Sequence, residues 1–523
     1  MRIVLLISFV YGFQLYSQNF NIEWGKLERS PGSLLQIMPK DSNTFYSVRW
    51  SGGNNFGHYK FTLQDFLEKV REKRIKPLTE KGIGNFEVAY LCGDNIVAFI
   101  SDKSGANCEL YAQEYSPELE IVSPPQLIAT YVNPKIGSKP NFYVKQSDNR
   151  EYLGILWEIP GRKTTSDVYG YRVLDNHLNG TQTGEYSIPF DGNLSTINEF
   201  FLTNKGDFML SITEHLKPND RIFTRQYDNY KSIHVYKIYE NSLKEYSLNL
   251  EENRIDDMKF ISDGDNFCSL TGIYAKGFRQ GINGVFELRI NLENDSIISS
   301  GFHEFSSSIT FETFDQRNVN QPFRRMNWDR NNTLNNTQYT YLLRDLFMLE
   351  DGSQIGSVEQ YHVYQRMNYD NRTGLSSSIY YYYYDDIIVF KIGSNGEMEW
   401  EKRIEKSQVS VNDNGPYSSY SSFCDGEKVV FIFNDNIRNY NEFGEFTMQD
   451  GRIYPLNLSL RRNVASITSI DVLSGDITRN KFFSRKEARA LVIPKQFHLD
   501  RKSKNLMIYS IDGYRERFGL LKY

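Results

Sequence analysis

Three polar segments of this chain share a composition that suits contact with another molecule. They read Arg225-Gln226-Tyr227-Asp228-Asn229-Tyr230, Arg325-Met326-Asn327-Trp328-Asp329-Arg330 and Arg366-Met367-Asn368-Tyr369-Asp370-Asn371-Arg372. Tyr, Trp, Arg and Asn are prominent in protein-binding hot spots and in adaptable binding loops. Aromatic faces flanked by amides and carboxylates also suit sugar rings. The candidate binding residues are Arg225, Tyr227, Asp228, Arg325, Asn327, Trp328, Asp329, Arg366, Asn368, Tyr369 and Asp370. The alternative is that these Arg and Asp side chains pair with each other and hold the segments rigid.

Residue patterns for catalysis or metal binding are missing from the sequence. The seven histidines are scattered, with no H-E-x-x-H spacing, and no G-x-S-x-G, Walker A or dinucleotide motif is present. No metal and no cofactor is therefore expected. Carboxylate pairs for glycoside hydrolysis converge in space and not in sequence, so an enzyme remains an alternative.

Eight tight polar turns, each between two short apolar strands, position these segments. Asp-Gly and Gly-Asp pairs tolerate the positive φ that a two-residue hairpin needs. Turns that recur every 50 to 90 residues, in a chain with few helical stretches, indicate radially repeated antiparallel sheets. The turns lie at 40–43, 92–95, 147–150, 204–207, 263–266, 350–353, 424–427 and 500–503.

Each turn belongs to a unit of four predicted strands. The clearest unit continues through Phe208–Glu214, Ser232–Tyr239 and Lys244–Leu250. Short turns at 175–180 and 394–396 join third and fourth strands. Four antiparallel strands per unit is the blade of a β-propeller.

The two ends of the chain predict how the ring closes. The last unit ends at Tyr523 without a fourth strand, and the segment Asn21–Lys26 precedes the first turn without a unit of its own. This segment also matches the fourth strand at 397–402. The sequence therefore predicts an all-β, eight-bladed propeller over residues 18–523, closed by the N-terminal strand, with seven blades as the alternative.

In this arrangement the chain resembles the broad β-propeller class, including the TolB-like and WD40-like propellers of exported bacterial proteins. The resemblance rests on strand order and turns. The Gly-His and Trp-Asp signatures of WD40 repeats and the Kelch diglycines are absent, so it carries over no functional residue.

The connections from second to third strands and from the fourth strand to the next unit include long and uneven segments, whereas the other turns are tight. They span 214–231, 306–336, 362–385 and 434–462, and all fall on one face of the ring. Connections of this length without strand character are often functional. Within the third, the five tyrosines of Ile379–Asp386 predict the start of a strand covered on both faces, with an exposed aromatic ladder as the alternative.

The composition limits the environment and the partners. Residues 1–17 combine Arg2 with an apolar run and predict a secretory signal, with a buried first strand as the alternative. No later stretch approaches 18 apolar residues, so no transmembrane segment is expected. Charges nearly cancel, at 60 basic against 65 acidic residues, which argues against nucleic acid as a partner. Cys92 and Cys108 are predicted on the first and third strands of one sheet, too far apart for a disulfide.

These observations favour an exported, non-catalytic propeller. We expect it to bind another protein through the long-connection face, as a subunit or accessory of a cell-envelope assembly. The alternatives are a glycan- or peptide-processing enzyme with its site at the channel mouth, or a surface carbohydrate-binding protein. The expected location is periplasmic or outer-membrane-associated, with secretion as the alternative.

Overall fold

The protein is an all-β ring of eight four-stranded blades. The computed structural model describes residues 20–53, 56–102, 106–132, 142–159, 168–187, 189–190, 194–217, 230–239, 242–250, 253–276, 282–307, 309, 340–369, 372, 376–448 and 452–523. In the described part, each of blades 1 to 7 is an antiparallel sheet whose first four strands follow one another in sequence, whereas blade 8 takes its outermost strand from the N-terminus. The predicted fold class is therefore confirmed.

The first half of the chain forms two short N-terminal strands and blades 1 to 4. The N-terminal strands are β1 (Ile22–Trp24) and β2 (Glu28–Arg29). Blade 1 comprises β3 (Ser33–Pro39), β4 (Thr44–Gly52), β5 (Gly57–Asp65) and β6 (Glu68–Arg74). A small ribbon of β7 (Leu78–Thr79) and β8 (Gly82–Ile83) follows. Blade 2 comprises β9 (Asn85–Cys92), β10 (Asn95–Asp102), β11 (Asn107–Tyr115) and β12 (Gln126–Val132). Blade 3 comprises β13 (Phe142–Gln146), β14 (Tyr152–Ile159), β15 (Val168–Asp175) and β16 (Gly180–Ser187). Blade 4 comprises β17 (Ser195–Leu202), β18 (Phe208–His215), β19 (Tyr230–Tyr239) and β20 (Ser242–Asn249).

The second half of the chain forms blades 5 to 8. Blade 5 comprises β21 (Asn253–Ser262), β22 (Phe267–Lys276), β23 (Gly284–Asn291) and β24 (Ser296–Glu304). Blade 6 comprises β25 (Thr340–Met348), β26 (Gln354–Tyr369), β27 (Ser376–Ile392) and β28 (Met398–Ile404), with the added strand β29 (Gln408–Val411). Blade 7 comprises β30 (Tyr420–Cys424), β31 (Lys428–Asn436), β32 (Asn463–Asp471) and β33 (Ile477–Ser484). Blade 8 comprises β34 (Leu491–Val492), β35 (His498–Asp500), β36 (Asn505–Asp512) and β37 (Arg515–Lys522). Single helical turns lie at Ile437–Asn439, Arg485–Ala488 and Pro494–Gln496.

The N-terminal strand closes the ring. β1 pairs antiparallel with β37, and Trp24 lies opposite Gly519. The Trp24 ring packs edge-on against Phe483, with 5.5 Å between the ring centroids, and the Arg517 guanidinium lies 4.9 Å from the Trp24 ring. This strand fills the outermost position of blade 8, as the sequence predicts.

The hydrophobic core is divided among the interfaces between blades. Eight buried clusters each draw their side chains from two consecutive blades. One of them joins Leu34 and Phe45 of blade 1 to Met507 and Phe518 of blade 8. Because the blades meet face to face all round the ring, strand residues that point to either side of a sheet are buried.

Bulges in the first strands of four blades turn a polar side chain toward the next blade. The register shifts lie just before Gln36, Glu199, Asp257 and Asp345. The contacts they make are Gln36 Nε2 to Ala89 O at 2.7 Å, Phe260 N to Glu199 at 2.7 Å, Leu343 N to Asp257 at 3.0 Å, and Ser422 Oγ to Asp345 at 2.6 Å. A bulge re-aims a side chain without ending the strand, so these contacts join neighbouring blades along the channel wall.

The cysteines match the predicted strand placement. Cys92 ends β9 and Cys108 lies in β11, with β10 between them, and all four cysteines are free thiols. In the part of the chain that the structure describes, no helix has the length and apolar character needed to span a membrane.

Candidate functional site

A cavity of about 840 Å³ lies on the axis of the ring. Its wall is built from the first strands of blades 3 to 8, which contribute residues such as Lys145, Glu199, Lys259, Arg344 and Ser421. The cavity therefore collects side chains that are hundreds of residues apart in sequence. Its volume lies in the range usual for sites that take small molecules.

The cavity extends toward the face of the ring that carries the tight turns. The turn residues Asp148 and Arg150 line it, as do Asp500, Arg501 and Lys502. In an antiparallel blade, the turns between first and second strands lie on the face opposite the connections between second and third strands. This end of the cavity therefore lies away from the second-to-third connections that the structure describes.

A buried carboxylate, Glu359, organises the wall at blade 6. Its oxygens accept hydrogen bonds from Lys406 Nζ at 2.9 Å, Arg344 Nε at 3.0 Å and Ser419 Oγ at 2.7 Å. Burial opposes ionisation, but the Lys406 and Arg344 charges outweigh it and lower the pKa of Glu359 below its ordinary value. Glu359 is therefore a fixed anion that holds Arg344 in position.

Three other carboxylates along the channel are engaged in contacts that hold blades or turns. Glu199 pairs with Lys145 at 3.0 Å and also accepts the Phe260 amide described above. Asp345 accepts from Ser422, and burial raises the pKa of this carboxyl. Asp500 accepts from Ser503 Oγ at 2.5 Å within its turn. These groups maintain the wall.

Three cations of the wall have neutral hydrogen-bond acceptors. Lys259 Nζ donates to Arg344 O at 2.7 Å, and Arg501 Nη2 donates to Leu346 O at 3.5 Å. Lys495 Nζ donates to Tyr384 Oη at 2.6 Å and to Gly415 O at 2.8 Å. Burial lowers the pKa of Lys495 to about 8, because the ammonium is partly desolvated. The described hydrogen bonds of these three cations therefore go to neutral acceptors, while Asp345 interacts electrostatically with Lys259 and Arg501 without a described hydrogen bond to either.

His498 also lines the cavity, two residues before Asp500 on β35. Burial is the main cause that lowers the pKa of His498 to about 4, against a smaller opposing effect of Asp500. The imidazole is therefore neutral at pH 7 and adds no charge to the channel.

Most of the sequence-predicted binding residues lie outside the described part of the chain. Arg366 is exposed on β26, and Asn368 and Tyr369 end that strand. Arg366 does not line the axial cavity. The candidates outside the described residues are Arg225, Tyr227, Asp228, Arg325, Asn327, Trp328, Asp329 and Asp370.

The expected loop over 362–385 is largely strand, which corrects the interpretation of this segment. β26 and β27 pair without interruption from Tyr361–Tyr384 to Tyr369–Ser376. The Tyr361 and Tyr384 rings lie 4.8 Å apart, and those of Tyr364 and Tyr381 lie 6.0 Å apart. Aromatic residues have high strand propensity and stabilise each other in cross-strand pairs. The segment is therefore a long hairpin whose paired strands extend to Tyr369 and Ser376.

This hairpin, residues 361–384, extends beyond the four-stranded part of blade 6, and we name it the arm. β25 reaches only as far as Tyr361, and β28 begins its pairing at Ile387. β29 pairs with residues 381–384 on one side of the arm. Met367 is 71% exposed and Tyr380 is 38% exposed, next to the exposed Arg366. The tyrosine run is thus covered near the blade and exposed toward the tip.

The connection at 434–462 is held by a buried ion pair. Arg479 of β33 pairs with Asp435, and its guanidinium lies 3.9 Å from the Phe446 ring. Tyr440 Oη donates to Asp435 at 2.8 Å. Phe443, at the turn of this connection, remains 81% exposed. An Arg–Asp pair therefore holds this connection in place. The same kind of pairing is the alternative given above for the three polar segments.

Sequence reasoning missed the cations of the channel. Lys259, Lys495 and Arg501 are separated by up to 242 positions and share no motif. The sequence offered one signal, which is the position of these residues relative to the predicted turns. Lys259 lies shortly before the turn that follows a first strand, and Arg501 lies in such a turn. In a propeller these are the positions that face the axis.

Comparisons with known proteins give only distant structural similarities. No protein-family model matches the chain, and no curated protein sequence matches it. Solved structures that resemble it include a protein of unknown function from Bacteroides caccae, at 13% identity and a TM-score of 0.26, covering 70% of this chain and 94% of that one. An ulvan lyase of a polysaccharide lyase family has 9% identity and a TM-score of 0.33, and the match covers 83% of this chain and 90% of that one. A Synechocystis apocarotenoid oxygenase mutant has 8% identity and a TM-score of 0.33, and the match covers 89% of this chain and 94% of that one. Similarities this distant transfer no activity.

Proposed function

We propose that this chain is a non-catalytic β-propeller that binds another protein through its long-connection face. In this proposal it is exported, as TolB-like propellers are, and serves as a subunit or accessory of a cell-envelope assembly. Its location is periplasmic or outer-membrane-associated, with secretion as the alternative. The arm is the principal contact element.

The observation that carries the proposal is the exposed outer part of the arm. A hairpin that leaves its blade exposes backbone and side chains that the ring itself does not cover. Arg366, Met367 and Tyr380 combine a charge, a flexible apolar side chain and an aromatic ring. Such combinations dominate the energetics of protein interfaces.

A second feature supports the same face. The connection at 434–462 presents Phe443 on a segment held by Asp435 and Arg479. Holding an exposed aromatic ring in one place reduces the entropy that binding would otherwise cost. The face therefore offers preorganised apolar contact area in addition to the arm.

Crosslinking mass spectrometry in the native cell envelope tests the proposal. The decisive variant replaces residues 365–380 by Asn-Gly. Tyr364 and Tyr381 are a cross-strand pair, so a two-residue turn can close the hairpin there. The pairing of β29 with residues 381–384 is retained.

We expect the full chain to give crosslinks at the long-connection face, and the shortened variant to lose roughly tenfold or more in partner recovery. Losing a hot spot costs about 2 kcal/mol or more, which corresponds to such a change. The matched control is Lys205→Glu, an exposed residue in a tight turn on the opposite face. Equal recovery by the shortened variant, or loss caused only by the control, would contradict the proposal.

The enzymatic alternative places a glycan or peptide in the channel. It requires two carboxylates that are available for acid–base chemistry. Of the four carboxylates that line the cavity, Glu199, Asp345 and Asp500 accept hydrogen bonds that hold the wall, which leaves Asp148, in the turn at 147–150, without a second available carboxylate beside it. The described geometry therefore gives this alternative less support than protein binding.

A further inference from the structure

We propose that the axial cavity is a binding site for a small polyvalent oxyanion, a ligand that carries two or more carboxylate or phosphate groups. Lys259, Arg501 and Lys495 are the residues that recognise it. This inference concerns the channel and is independent of protein binding by the opposite face.

The charge of the cavity differs in sign from that of the whole protein. Four lysines and three arginines line the cavity, against three aspartates and one glutamate. The chain as a whole carries a net charge of −5. A local excess of positive charge in a concave, partly desolvated site attracts anions and is less screened than the same charge at the surface.

Lys259 and Arg501 both donate a hydrogen bond to the same strand, β25. Their hydrogen bonds reach the carbonyl oxygens of Arg344 and Leu346, two residues apart on β25. Arg344 is the extra residue of the bulge before Asp345, so both carbonyls belong to one short, bulged part of this strand. One cation from blade 5 and one from blade 8 are thereby held close to the same part of β25, where one ligand with two anionic groups can meet both.

The donors of these cations are only partly used by the protein. An ammonium has three donors and a guanidinium has five, whereas Lys259 and Arg501 each make one described hydrogen bond, to a neutral carbonyl. A charge-assisted bond to an oxyanion is about twice as strong as a bond between neutral groups. A carboxylate or phosphate therefore satisfies these side chains better than the backbone does.

Lys495, just before β35 of blade 8, adds a third cation to the cavity wall. It lies over the Tyr384 ring, with Nζ 3.9 Å from the ring centroid, and its other acceptors are backbone carbonyls. Burial disfavours its charged form, as its lowered pKa indicates. A bound anion would favour the charged form of this ammonium further, adding to the effect of Glu359 and Asp413.

The size of the cavity selects a small ligand. A volume of about 840 Å³ enclosed by the ring admits a molecule of metabolite or short-oligomer size. A duplex nucleic acid or a folded acidic protein requires an extended outer surface. The hydroxyl of Ser421, also in the wall, offers a further polar contact.

Isothermal titration calorimetry at low salt tests the inference, with citrate as the carboxylate probe, and pyrophosphate and inorganic phosphate as the phosphate probes. We expect at least one polyvalent probe to bind with a sub-millimolar Kd, and to bind more weakly as salt is raised. Tighter binding of citrate or of pyrophosphate identifies which oxyanion the site prefers. Failure of every probe to bind would overturn the proposal.

The variants are Lys259→Gln, Arg501→Gln and Lys495→Gln, each in the full chain and checked for an unchanged circular dichroism spectrum and Tm. We expect each to raise the Kd of the best probe about tenfold. The control is Lys276→Gln, which removes an exposed lysine paired with Glu304 outside the cavity. A Kd that changes equally in the control, or in none of the three variants, assigns the binding elsewhere and overturns the site.

Discussion

Arg49 and Glu516 form a fully buried ion pair between the first and last blades. The guanidinium donates to both carboxylate oxygens, at 2.8 and 2.9 Å, and its Nε donates to Ser47 Oγ at 2.8 Å. Ser30 and Tyr509 each donate to Glu516 at 2.9 Å. A buried pair survives desolvation only when its hydrogen bonds are satisfied in this way. The pair therefore fixes how blade 1 meets blade 8.

Removing one member of this pair should destabilise the protein strongly. We expect Glu516→Gln to reduce the free energy of unfolding by about 3–5 kcal/mol, because it leaves the buried Arg49 charge uncompensated. Urea unfolding measures the change. The control is Lys26→Gln at the exposed Lys26–Glu68 pair, where little or no change is expected because solvent screens the pair. Similar losses for both variants would contradict the structural role of Arg49.

Lys495 should react as an unusually nucleophilic lysine. Its pKa of about 8 lies below the ordinary lysine value of 10.5, so the neutral amine forms at lower pH. We expect competitive acetylation followed by mass spectrometry to show half-maximal reactivity of Lys495 near pH 8. Half-maximal reactivity close to 10.5 would show that the ammonium is not desolvated. Between about pH 8 and pH 10.5 the unfolded chain keeps the Lys495 proton that the folded chain has released. The contribution of Lys495 to the free energy of unfolding therefore rises with pH.

Among the elements, the connection at 434–462 shows how a long loop becomes rigid without regular strands. Asn436 and Asn439 donate to the carbonyls of Pro455 and Tyr454, both at 2.9 Å. The Asp435–Arg479 pair lies beneath these contacts. Polar side chains thus replace the strand ladder as the source of order in this element.

Breaking the ion pair should loosen this element alone. We expect Asp435→Asn to accelerate amide hydrogen exchange across residues 437–448 by roughly tenfold or more, because a hydrogen bond to a charged group contributes about 1.5–3 kcal/mol. The paired strands β31 and β32 should keep their protection, since their ladder is unchanged. Hydrogen-exchange mass spectrometry separates the two regions. Unchanged exchange at 437–448 would show that other contacts hold the connection.

Elements with alternating apolar residues were predictable, and the arm was not. The strands expected at 208–214, 232–239 and 244–250 are observed at Phe208–His215, Tyr230–Tyr239 and Ser242–Asn249. Period-two alternation and turn residues determine these strands locally. In the arm, Gln365, Arg366 and Asn368 interrupt the apolar pattern, so the sequence resembled a loop. Cross-strand tyrosine pairs, visible only once the register is known, make it a hairpin.

At the scale of the whole molecule, stability depends on ring closure. Each blade shares its buried clusters with both neighbours, so a ring opened at one interface exposes two apolar sheet faces. β1 contributes Ile22 and Trp24 to the cluster between blades 7 and 8. The N-terminal strand therefore joins the two ends of the chain in a single cooperative structure.

Relocating this strand tests closure directly. Deleting residues 20–26 should lower Tm by several degrees or more, because β37 loses its partner and part of its apolar cover. Restoring the same segment after Tyr523 through a short Asn-Gly turn should recover Tm, since β1 runs antiparallel to β37 and a hairpin can place it there. Differential scanning calorimetry measures both variants. A stable protein without the segment, or no recovery after relocation, would contradict the closure mechanism.

The amino-acid sequence by itself determined the blades and their closure, because turn chemistry and strand alternation act over a few neighbouring residues. Gly206, Gly264 and Gly352 adopt the positive φ values of 87°, 96° and 81° that the predicted turns require. Only the tertiary structure decided which charges meet at the axis. Lys259, Arg501 and Lys495 converge because blades 5, 6 and 8 surround one channel. No pattern of neighbouring residues in the sequence indicates that these three side chains lie in one cavity.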